Sequence, residues 1–388
     1  MPINSVIQEL VPDAQLWRRD LHANPELLYD LPRTANFVAE RLREFGCDEV
    51  RTAIGRSGVV GVIKGRKGEG QRAIGLRADM DALPIEETTN LPYRSRVPGK
   101  MHACGHDGHT AMLLGAARYL ARTRDFSGAA VVIFQPAEEG GAGAQAMIDD
   151  GLMETFAIEE VYGMHNMPSL PVGAFALRKG PLLAAADFFA IRLEGKGGHA
   201  AQPHKCVDSI VAGAQIVTAL QTIVSRNVDP LDSCVVSVAR FSAGTTNNVL
   251  PQTAELEGTT RTLLPATRDL AERRIREIVA GIAAASGVSA NLDYVRSYPA
   301  TVNHPAQTDF AASVARQVAG ANHVLTEMPP VMGAEDFSFM LEARPGAFIL
   351  IGNGDTAGLH HPGYDFNDAA LPYGMAYWAK IVETTLAA

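Results

Sequence analysis

Short apolar runs alternate with longer helical patterns through the first half of the chain. They predict strands at residues 73–77, 130–134 and 160–164 and helices at residues 5–22 and 110–122. This order is typical of an α/β domain whose sheet is covered by helices on both faces. A further strand at 347–351 and a last helix from about Pro372 predict that the same domain resumes near the C-terminus.

The stretch between these two parts has a different order. Strands are predicted at 188–194, 234–241, 253–262 and 288–295, with helices at 207–225 and 267–285. This βαββαβ order is that of the split, ferredoxin-like arrangement. Since 388 residues are enough for two domains, an insertion within a larger α/β domain is the simplest account. We therefore predict a mixed-sheet domain from residues 1–184 and 298–388 and an inserted domain from residues 185–297.

Polar side chains follow several of the predicted strands directly. They are Asp79 and Asp81, Glu138 and Glu139, His165, and His360 and His361. In open α/β sheets, ligands bind beyond the carboxyl ends of the strands. Each residue alone also fits a solvated loop or a helix cap, but together they predict one site at this edge of the sheet.

The segment Met101–Thr110 adds a thiol and three imidazoles within ten residues. Cys104 and His106 are two residues apart, so in an extended loop their side chains lie on the same side and can share an ion. Thiolate and imidazole are preferred ligands of zinc and similar divalent metals. Asp107 is predicted to cap a helix that begins near Thr110. The alternative for this segment alone is a histidine-rich helix start with a buried structural cysteine.

Together, these segments offer more ligands than a single tetrahedral zinc ion uses. The candidates are Cys104, His106, Glu139, His165 and one of His360 and His361. Five ligands suit two metal ions that share a bridging group and a water. In the Glu138–Glu139 pair, one carboxylate can then bind metal while its neighbour acts as a general base.

Composition and charge argue against several other functions. The net charge of −9 and the pI near 5.7 disfavour a nucleic-acid partner, and no basic run favours an anionic membrane. No segment has the pattern of a signal peptide or of a membrane span. The four cysteines are too few and too scattered for a disulfide framework. A reduced Cys104 fits the cytoplasm, which is the predicted location.

Eight segments, in order along nearly the whole chain, carry a family resemblance. They are residues 18–26, 76–84, 101–109, 134–140, 163–165, 195–203, 333–338 and 360–362. In these segments the chain resembles the M20 metallopeptidases, specifically the amidohydrolase branch that includes hippurate hydrolases, N-acyl-amino-acid deacylases and auxin-conjugate hydrolases. The Cys-Gly-His-Asp-Gly-His motif, paired with Pro-Ala-Glu-Glu-Gly, is the most specific part of the resemblance.

The resemblance implies roles for individual residues. Glu138 is implied as the general base, and the implied metal ligands are Cys104, His106, Glu139, His165 and His360. Cys104 stands where other M20 enzymes have a bridging aspartate, so its sulfur is expected to bridge two metals. His360 is preferred to His361 because the family pattern is a histidine two residues before proline. Asp81 is expected to orient a ligand or a neighbouring loop without binding metal itself.

In the inserted domain, the resemblance implies groups that contact the substrate. His199, which in the family usually reaches in from the partner subunit, is expected to hydrogen-bond the oxyanion formed during hydrolysis. Asn248 and Arg261 are expected to hold a substrate carboxylate, to which a guanidinium offers two parallel hydrogen bonds. A histidine supplied by the partner implies a homodimer or homotetramer.

The predicted function is hydrolysis of the amide bond of N-acyl amino acids, which are small-molecule substrates, with two divalent metal ions (Zn, Mn, Co or Ni) as cofactors. The alternative on the same site is a dipeptidase or aminopeptidase, for which Asp336 or Glu335 would bind a free α-amine. A protein that merely binds metal has no need of Glu138 or His199. A two-metal phosphoesterase favours harder oxygen ligands than Cys104.

Overall fold

The computed structural model describes residues 3–68 and 70–387. In these residues the strands, numbered in chain order, are β1 (Glu49–Ile54), β2 (Gly58–Lys64), β3 (Ala73–Asp79), β4 (Ala129–Gln135), β5 (Ile158–Pro168), β6 (Phe175–Ala176), β7 (Gly180–Leu183), β8 (Ala185–Glu194), β9 (Gly198–His199), β10 (Cys234–Ala243), β11 (Val249–Leu250), β12 (Thr253–Thr262), β13 (Ser289–Arg296), β14 (Thr301–Asn303), β15 (Val324–Leu325) and β16 (Gly346–Gly354). The helices are α1 (Ser5–Ala23), α2 (Pro32–Glu44), α3 (His106–Thr123), α4 (Gly143–Asp149), α5 (Leu152–Thr155), α6 (Ser209–Thr222), α7 (Pro265–Ser286), α8 (Pro305–Ala319), α9 (Phe337–Ala343) and α10 (Leu371–Thr385). None of the helices in this part of the chain is both long and apolar enough to cross a bilayer.

The described residues divide into two compact units. The first contains the residues up to 182, residues 302–329 and the residues from 336 onward. The second contains residues 183–301 and 330–335, and the segment predicted as an insertion, 185–297, falls within it. Residues 298–301 and 330–335, which the sequence predicted as part of the mixed-sheet domain, group with the second unit. One contact of the stretch 330–335 is the 2.8 Å hydrogen bond from the Ala184 N–H to the Gly333 carbonyl oxygen. The outermost predicted bounds, residues 1 and 388, lie outside the described residues.

A mixed sheet lies at the centre of the first unit, in the order β1-β2-β4-β3-β5-β16-β6-β15. β3 runs parallel to β4 and β5, and β16 runs parallel to β5, so these four strands end at the same edge. β1 and β2 are antiparallel additions on one side. Every residue of β3 is buried, as expected of a strand covered on both faces. The predicted α/β class with a mixed sheet is confirmed.

Helices of the first unit pack closely on this sheet and on each other. α3 packs against α1, α10 and β3, and it is buried along most of its length. Small side chains allow this close approach. A Cβ atom at Gly115 of α3 would lie 2.6 Å from the Met375 Cε in α10. The result is one continuous apolar core that joins these helices to the strands.

The start of α3 differs from the prediction. The helix begins at His106 rather than near Thr110, and its N-cap residue is Gly105, with φ +88°. The Asp107 side chain does not cap the helix but accepts a hydrogen bond from the His22 Nδ1 at 2.8 Å. The prediction of a cap at Asp107 is wrong because a tertiary partner, distant in sequence, engages its carboxylate.

The second unit contains the four-stranded sheet β10-β12-β8-β13, in which every neighbouring pair is antiparallel. α6 packs against β12, and α7 packs against β13. This is the βαββαβ order of the ferredoxin-like arrangement. From Phe188 to Glu194 of β8, exposed and buried side chains alternate, which is the pattern of a sheet with one covered face. The buried side chains form a core of this unit's own.

Candidate metal centre

The parallel strands of the first unit bring polar side chains to one edge of the sheet. The segments at this edge follow or end β4, β5 and β16, or lead into the first turn of α3. They carry every predicted metal ligand: Cys104, His106, Glu139, His165 and His360. The carboxyl ends of parallel strands are where ligands bind in open α/β sheets.

Two groups of candidate ligand atoms share the Cys104 sulfur. Cys104, His106 and His165 form one group, and Cys104, Glu139 and His360 form the other; within each group the ligand atoms lie within 4.8 Å of one another. The Cys104 Sγ is 3.3 Å from the His165 Nε2, and the His360 Nε2 is 3.5 Å from the Glu139 Oε1. A sulfur common to both groups is the placement expected of a ligand that bridges two metal ions.

Several polar atoms of this cluster are buried and have no hydrogen-bond partner within the described part of the chain. They include both ring nitrogens of His106 and the Oε1 of Glu139. The carboxylate oxygen nearest to His106, from Asp81, is 3.5 Å away. Buried polar atoms in native proteins are otherwise almost always paired. Imidazole nitrogen, carboxylate oxygen and thiolate sulfur are also the donors that zinc and related ions prefer, so these residues fit a divalent metal.

Without metal, protons occupy two of the ligands. Burial lowers the pKa of His106, but the Asp79 carboxylate and neighbouring acids outweigh burial and raise this pKa to about 10. Burial, with Glu139 nearby, raises the pKa of the Cys104 thiol well above its usual value. Burial lowers the pKa of His165 well below its usual value, so this imidazole is already neutral. A metal that binds here must displace a proton from His106 and from Cys104.

Two of the histidine ligands are held by atoms other than the one that faces the cluster. The His165 Nδ1 donates to the backbone carbonyl oxygen of Asn166 at 2.6 Å, which leaves the Nε2 for a metal. The His360 N–H donates to the Ala103 carbonyl oxygen at 2.8 Å, and His360 adopts the left-handed φ of +62°. The His361 Nδ1 instead accepts a backbone N–H within its own turn, at 2.9 Å.

Asp81 holds the loop that carries both glutamates. Its carboxylate accepts the N–H of Glu138 at 3.0 Å and the N–H of Glu139 at 3.1 Å. Asp81 is fully buried, and burial raises the pKa of its carboxyl group. The Glu138 Oε2 lies 4.0 Å from the His106 Nε2, and Glu138 is also buried. The Asp81 carboxylate therefore holds both glutamates at the cluster through their backbone N–H groups and leaves their carboxylates free of this contact.

A layer of buried charged side chains, which the sequence did not predict, lies beneath the ligand cluster and supports it. Arg77 donates to Asp79 at 2.7 Å and to Asp336 at 3.0 Å, and Asp79 also accepts from the His109 Nδ1 at 2.7 Å. Burial raises the pKa of Asp79, but His106, His109 and Arg77 outweigh burial and hold this pKa well below its usual value. The signal in the sequence is a pair of charged residues within the otherwise apolar β3.

A second buried pair joins α1 to the first turn of α3. The His22 Nδ1 donates to Asp107 at 2.8 Å, and Arg18, one turn earlier in α1, lies 3.7 Å from the same carboxylate. Burial lowers the pKa of His22, but Asp107 outweighs burial and raises this pKa to about 9. These contacts give Arg18 and His22 a structural role, because they fix the turn that carries His106.

The residues predicted to contact substrate lie in the second unit. His199 is exposed in β9, which pairs with β11, and the neighbouring Ala200 N–H donates to the Asn248 carbonyl oxygen at 3.0 Å. The structure therefore brings His199 and Asn248 together. Arg261 lies on a different strand, β12, half-buried, with its guanidinium carbon 5.8 Å from the centre of the Phe188 ring.

Comparison with known proteins shows the family to which the chain belongs. Residues 75–384 match the model of peptidase family M20/M25/M40. The chain is 44% identical to the hippurate hydrolase of Campylobacter jejuni, over 97% of both chains. It is 40% identical to the N-acetylcysteine deacetylase of Bacillus subtilis, over 95% of this chain and 96% of that protein. Its fold is similar to the crystal structure of a dinuclear metal binding peptidase of the M20 family from Bacillus subtilis, with 35% identity, a TM-score of 0.85 and coverage of 98% of this chain and 99% of that one.

These matches cover nearly the whole chain. The matched range also contains all five residues of the ligand cluster and the neighbouring Glu138. The chain therefore belongs to peptidase family M20/M25/M40, as an enzyme of its metal-dependent amidohydrolase branch.

Proposed function

We propose that the protein hydrolyses the amide bond of N-acyl amino acids and releases a carboxylic acid and a free amino acid. The observation that carries this proposal is the placement of the adjacent glutamates. Glu139 shares a ligand group with Cys104, Glu138 lies beside His106, and Asp81 accepts the N–H of both glutamates. One carboxylate can hold a metal while the other moves a proton. The names of the relatives that act on hippurate and N-acetylcysteine support the N-acyl class.

Glu138 is the proposed general base. Two divalent ions, held by Cys104, His106, Glu139, His165 and His360, would supply an acidified water and a positive field at the substrate carbonyl. Glu138 takes a proton from the attacking water as the new carbon–oxygen bond forms. It then delivers this proton to the nitrogen as the carbon–nitrogen bond breaks, so that the amine leaves neutral. Asp81 keeps Glu138 in place through the backbone hydrogen bond at 3.0 Å.

The second unit is proposed to recognise the rest of the substrate. His199 donates a hydrogen bond to the oxyanion that develops on the carbonyl oxygen. Arg261 and Asn248 bind the carboxylate of the amino-acid part, to which a guanidinium presents two parallel donors. Because His199 is exposed on its own unit, we propose that it serves the partner subunit's substrate in a homodimer or homotetramer.

A dipeptidase or aminopeptidase is the alternative, and it needs an acidic group for the free α-amine. Asp336, one of the two residues considered for this role, is fully buried. Its carboxylate accepts hydrogen bonds from Arg77, from the Gln135 side chain at 2.7 Å and from the Ala144 N–H at 2.9 Å. A carboxylate engaged in this way is not available to a substrate amine, so Asp336 does not support the peptidase alternative.

The finer properties of the site are proposals of the same kind. The mixed set of imidazole, carboxylate and thiolate ligands suits Zn, Mn, Co or Ni. A cysteine that serves as a thiolate ligand must stay reduced, which supports a cytoplasmic location.

The test is a panel of hippurate, N-acetyl amino acids and dipeptides, assayed with metal-reconstituted apoprotein. Glu138→Gln should retain its metal and lose nearly all turnover, whereas the matched variant Glu139→Gln should lose metal as well. Turnover confined to dipeptides would overturn the substrate class. Loss of metal from Glu138→Gln would identify Glu138 as a ligand. Full turnover by this variant would show that Glu138 is not the general base.

A further inference from the structure

Asn166 contacts two of the proposed ligands through atoms that do not bind metal. It follows His165 near the end of β5 and is completely buried. Its side-chain Nδ2 donates to the backbone carbonyl oxygen of Cys104 at 2.6 Å. Its backbone carbonyl oxygen accepts from the His165 Nδ1 at 2.6 Å. One residue therefore fixes both the loop that presents the sulfur and the ring that faces it at 3.3 Å.

A third ligand-bearing segment is joined to the same amide. The Tyr364 hydroxyl donates to the Asn166 Oδ1 at 2.8 Å, and Tyr364 lies in the loop that carries His360. The Cys104 carbonyl oxygen can only accept a hydrogen bond, so the amide NH₂ must face it and the amide oxygen must face the tyrosine. The Asn166 side chain is thus both a donor and an acceptor between two ligand-bearing loops.

The backbone around Asn166 is shaped for this contact. Gly105 has a φ of +88°, and a Cβ atom there would lie 2.4 Å from the Asn166 Nδ2 and 2.5 Å from the Tyr364 hydroxyl oxygen. The Asn166 N–H also donates to the His109 Nε2 at 2.9 Å, while the His109 Nδ1 is bound to Asp79 at 2.7 Å. Asn166 is therefore held on its backbone and on both ends of its side chain.

We propose that Asn166 is a positioning residue, which sets the distance between Cys104 and His165 and couples both to the loop of His360. This inference deepens the proposed function, because it assumes the metal site of that function. An amide is the side chain of this length that donates and accepts at once. An ionised aspartate only accepts, so it would repel the Cys104 carbonyl oxygen, and a leucine would do neither.

The experiment measures cobalt binding to the apoprotein, which is independent of turnover. Asn166→Asp, Asn166→Leu and Tyr364→Phe are titrated with Co²⁺ against a competing chelator. The absorption bands of the cobalt protein report the thiolate contact and the coordination geometry. Urea unfolding of each apoprotein separates loss of fold from loss of the site.

Asn303→Asp is the matched control. Asn303 is also buried, and its side chain donates to the carbonyl oxygens of Arg178 at 3.0 Å and Phe348 at 2.9 Å. Its Oδ1 accepts the Phe348 N–H at 2.6 Å. The control therefore makes the same chemical change in an equally bonded asparagine that contacts no ligand-bearing loop.

The Asn166 variants should bind Co²⁺ about ten- to a hundredfold more weakly, as is typical when the partner of a metal ligand is changed. Their cobalt spectra should differ from the wild-type spectrum, and Tyr364→Phe should shift both readouts less, in the same direction. Asn303→Asp should keep wild-type affinity and spectrum, even where its stability falls. Folded Asn166 variants with wild-type affinity and spectrum would overturn the inference, as would an equal effect in Asn303→Asp.

Two further outcomes keep the test decisive. If the Asn166 variants do not fold, Tyr364→Phe decides the question, since it removes one hydroxyl group and leaves the amide in place; an unchanged cobalt spectrum there would refute the proposed coupling. Wild-type protein that binds no Co²⁺ would instead refute the metal site of the proposed function, which is a separate result.

Discussion

Replacing Asp81 by asparagine tests how the loop of the two glutamates is held. Asp81 is fully buried, and its two carboxylate oxygens accept the N–H of Glu138 at 3.0 Å and of Glu139 at 3.1 Å. Asparagine has nearly the same shape but one acceptor oxygen, so one of these buried N–H groups loses its partner. A buried donor without a partner costs about 1–3 kcal/mol. Because burial raises the pKa of Asp81, removal of its charge offsets part of this cost.

The free-energy cost of the unpaired N–H group is divided between the stability of the apoprotein and its affinity for metal. In the apoprotein the loop can relax, and the free energy of unfolding then falls by less than the full amount. Metal binding must pull Glu139 back into place, so the remainder appears as weaker metal affinity. The two losses should add to about 1–3 kcal/mol. If the whole loss falls on binding, the dissociation constant rises roughly 5- to 150-fold.

Urea unfolding of the apoprotein and a competitive metal titration measure the two parts. Glu26→Gln is the control, because the Glu26 carboxylate also accepts two backbone N–H groups, from Arg33 at 3.1 Å and from Thr34 at 2.8 Å. Glu26 is only half-buried, so water replaces part of the lost contact, and metal affinity should be unchanged. A combined loss in Asp81→Asn no larger than in Glu26→Gln would refute the role of Asp81 in holding the loop.

Other perturbations test the ligands and the second unit. Cys104→Ser should lower metal affinity, because a hydroxyl is a far poorer anion than a thiolate at neutral pH. Undiminished metal content and turnover rate in this variant would refute the hypothesis that the Cys104 sulfur bridges two metals. Metal binding at pH 7 should release about two protons, from Cys104 and from His106, whose pKa is raised to about 10. The His106 proton should cease to contribute as pH rises through this value, and calorimetry in buffers of different ionisation enthalpy measures the number released. His199→Ala should keep its metal and lower kcat about a hundred- to a thousandfold. Mixing it with Glu138→Gln under subunit exchange should restore part of the activity. No recovery despite demonstrated exchange would place His199 in its own subunit's site or outside catalysis altogether.

The parts of the fold that local patterns determine were predictable from the sequence. The apolar run 73–77 lies within β3, and the run 347–351 lies within β16, because buried parallel strands are apolar on both faces. The strand ends then placed the polar residues at one edge. The ligand cluster followed from residue chemistry, since thiolate, imidazole and carboxylate donors were grouped after those strands.

What the sequence did not predict depends on contacts between distant residues. Asp107 has the chemistry of a helix cap, yet its carboxylate binds His22, which lies on another helix. Asn166 follows a predicted ligand directly, but its partners Cys104 and Tyr364 are distant in sequence, so no local pattern indicates the amide between them. Side-chain hydrogen bonds of this kind have no periodicity, and only the packed structure reveals them.

The structure separates the atoms that hold each ligand from the atoms that face the cluster. Four of the five proposed ligands are held by an atom that does not bind metal: His165 by its Nδ1, His360 and Glu139 by their backbone N–H, and Cys104 by its carbonyl oxygen. The Glu139 Oε1, in contrast, is buried without a hydrogen-bond partner in the described part of the chain. Folding therefore orders the ligands before any metal arrives, so little conformational entropy remains to be lost on binding. Folding the metal-free protein also leaves several buried polar atoms without a hydrogen-bond partner, and a divalent cation removes this cost because it binds several of them at once. The protons that the metal displaces subtract from its affinity.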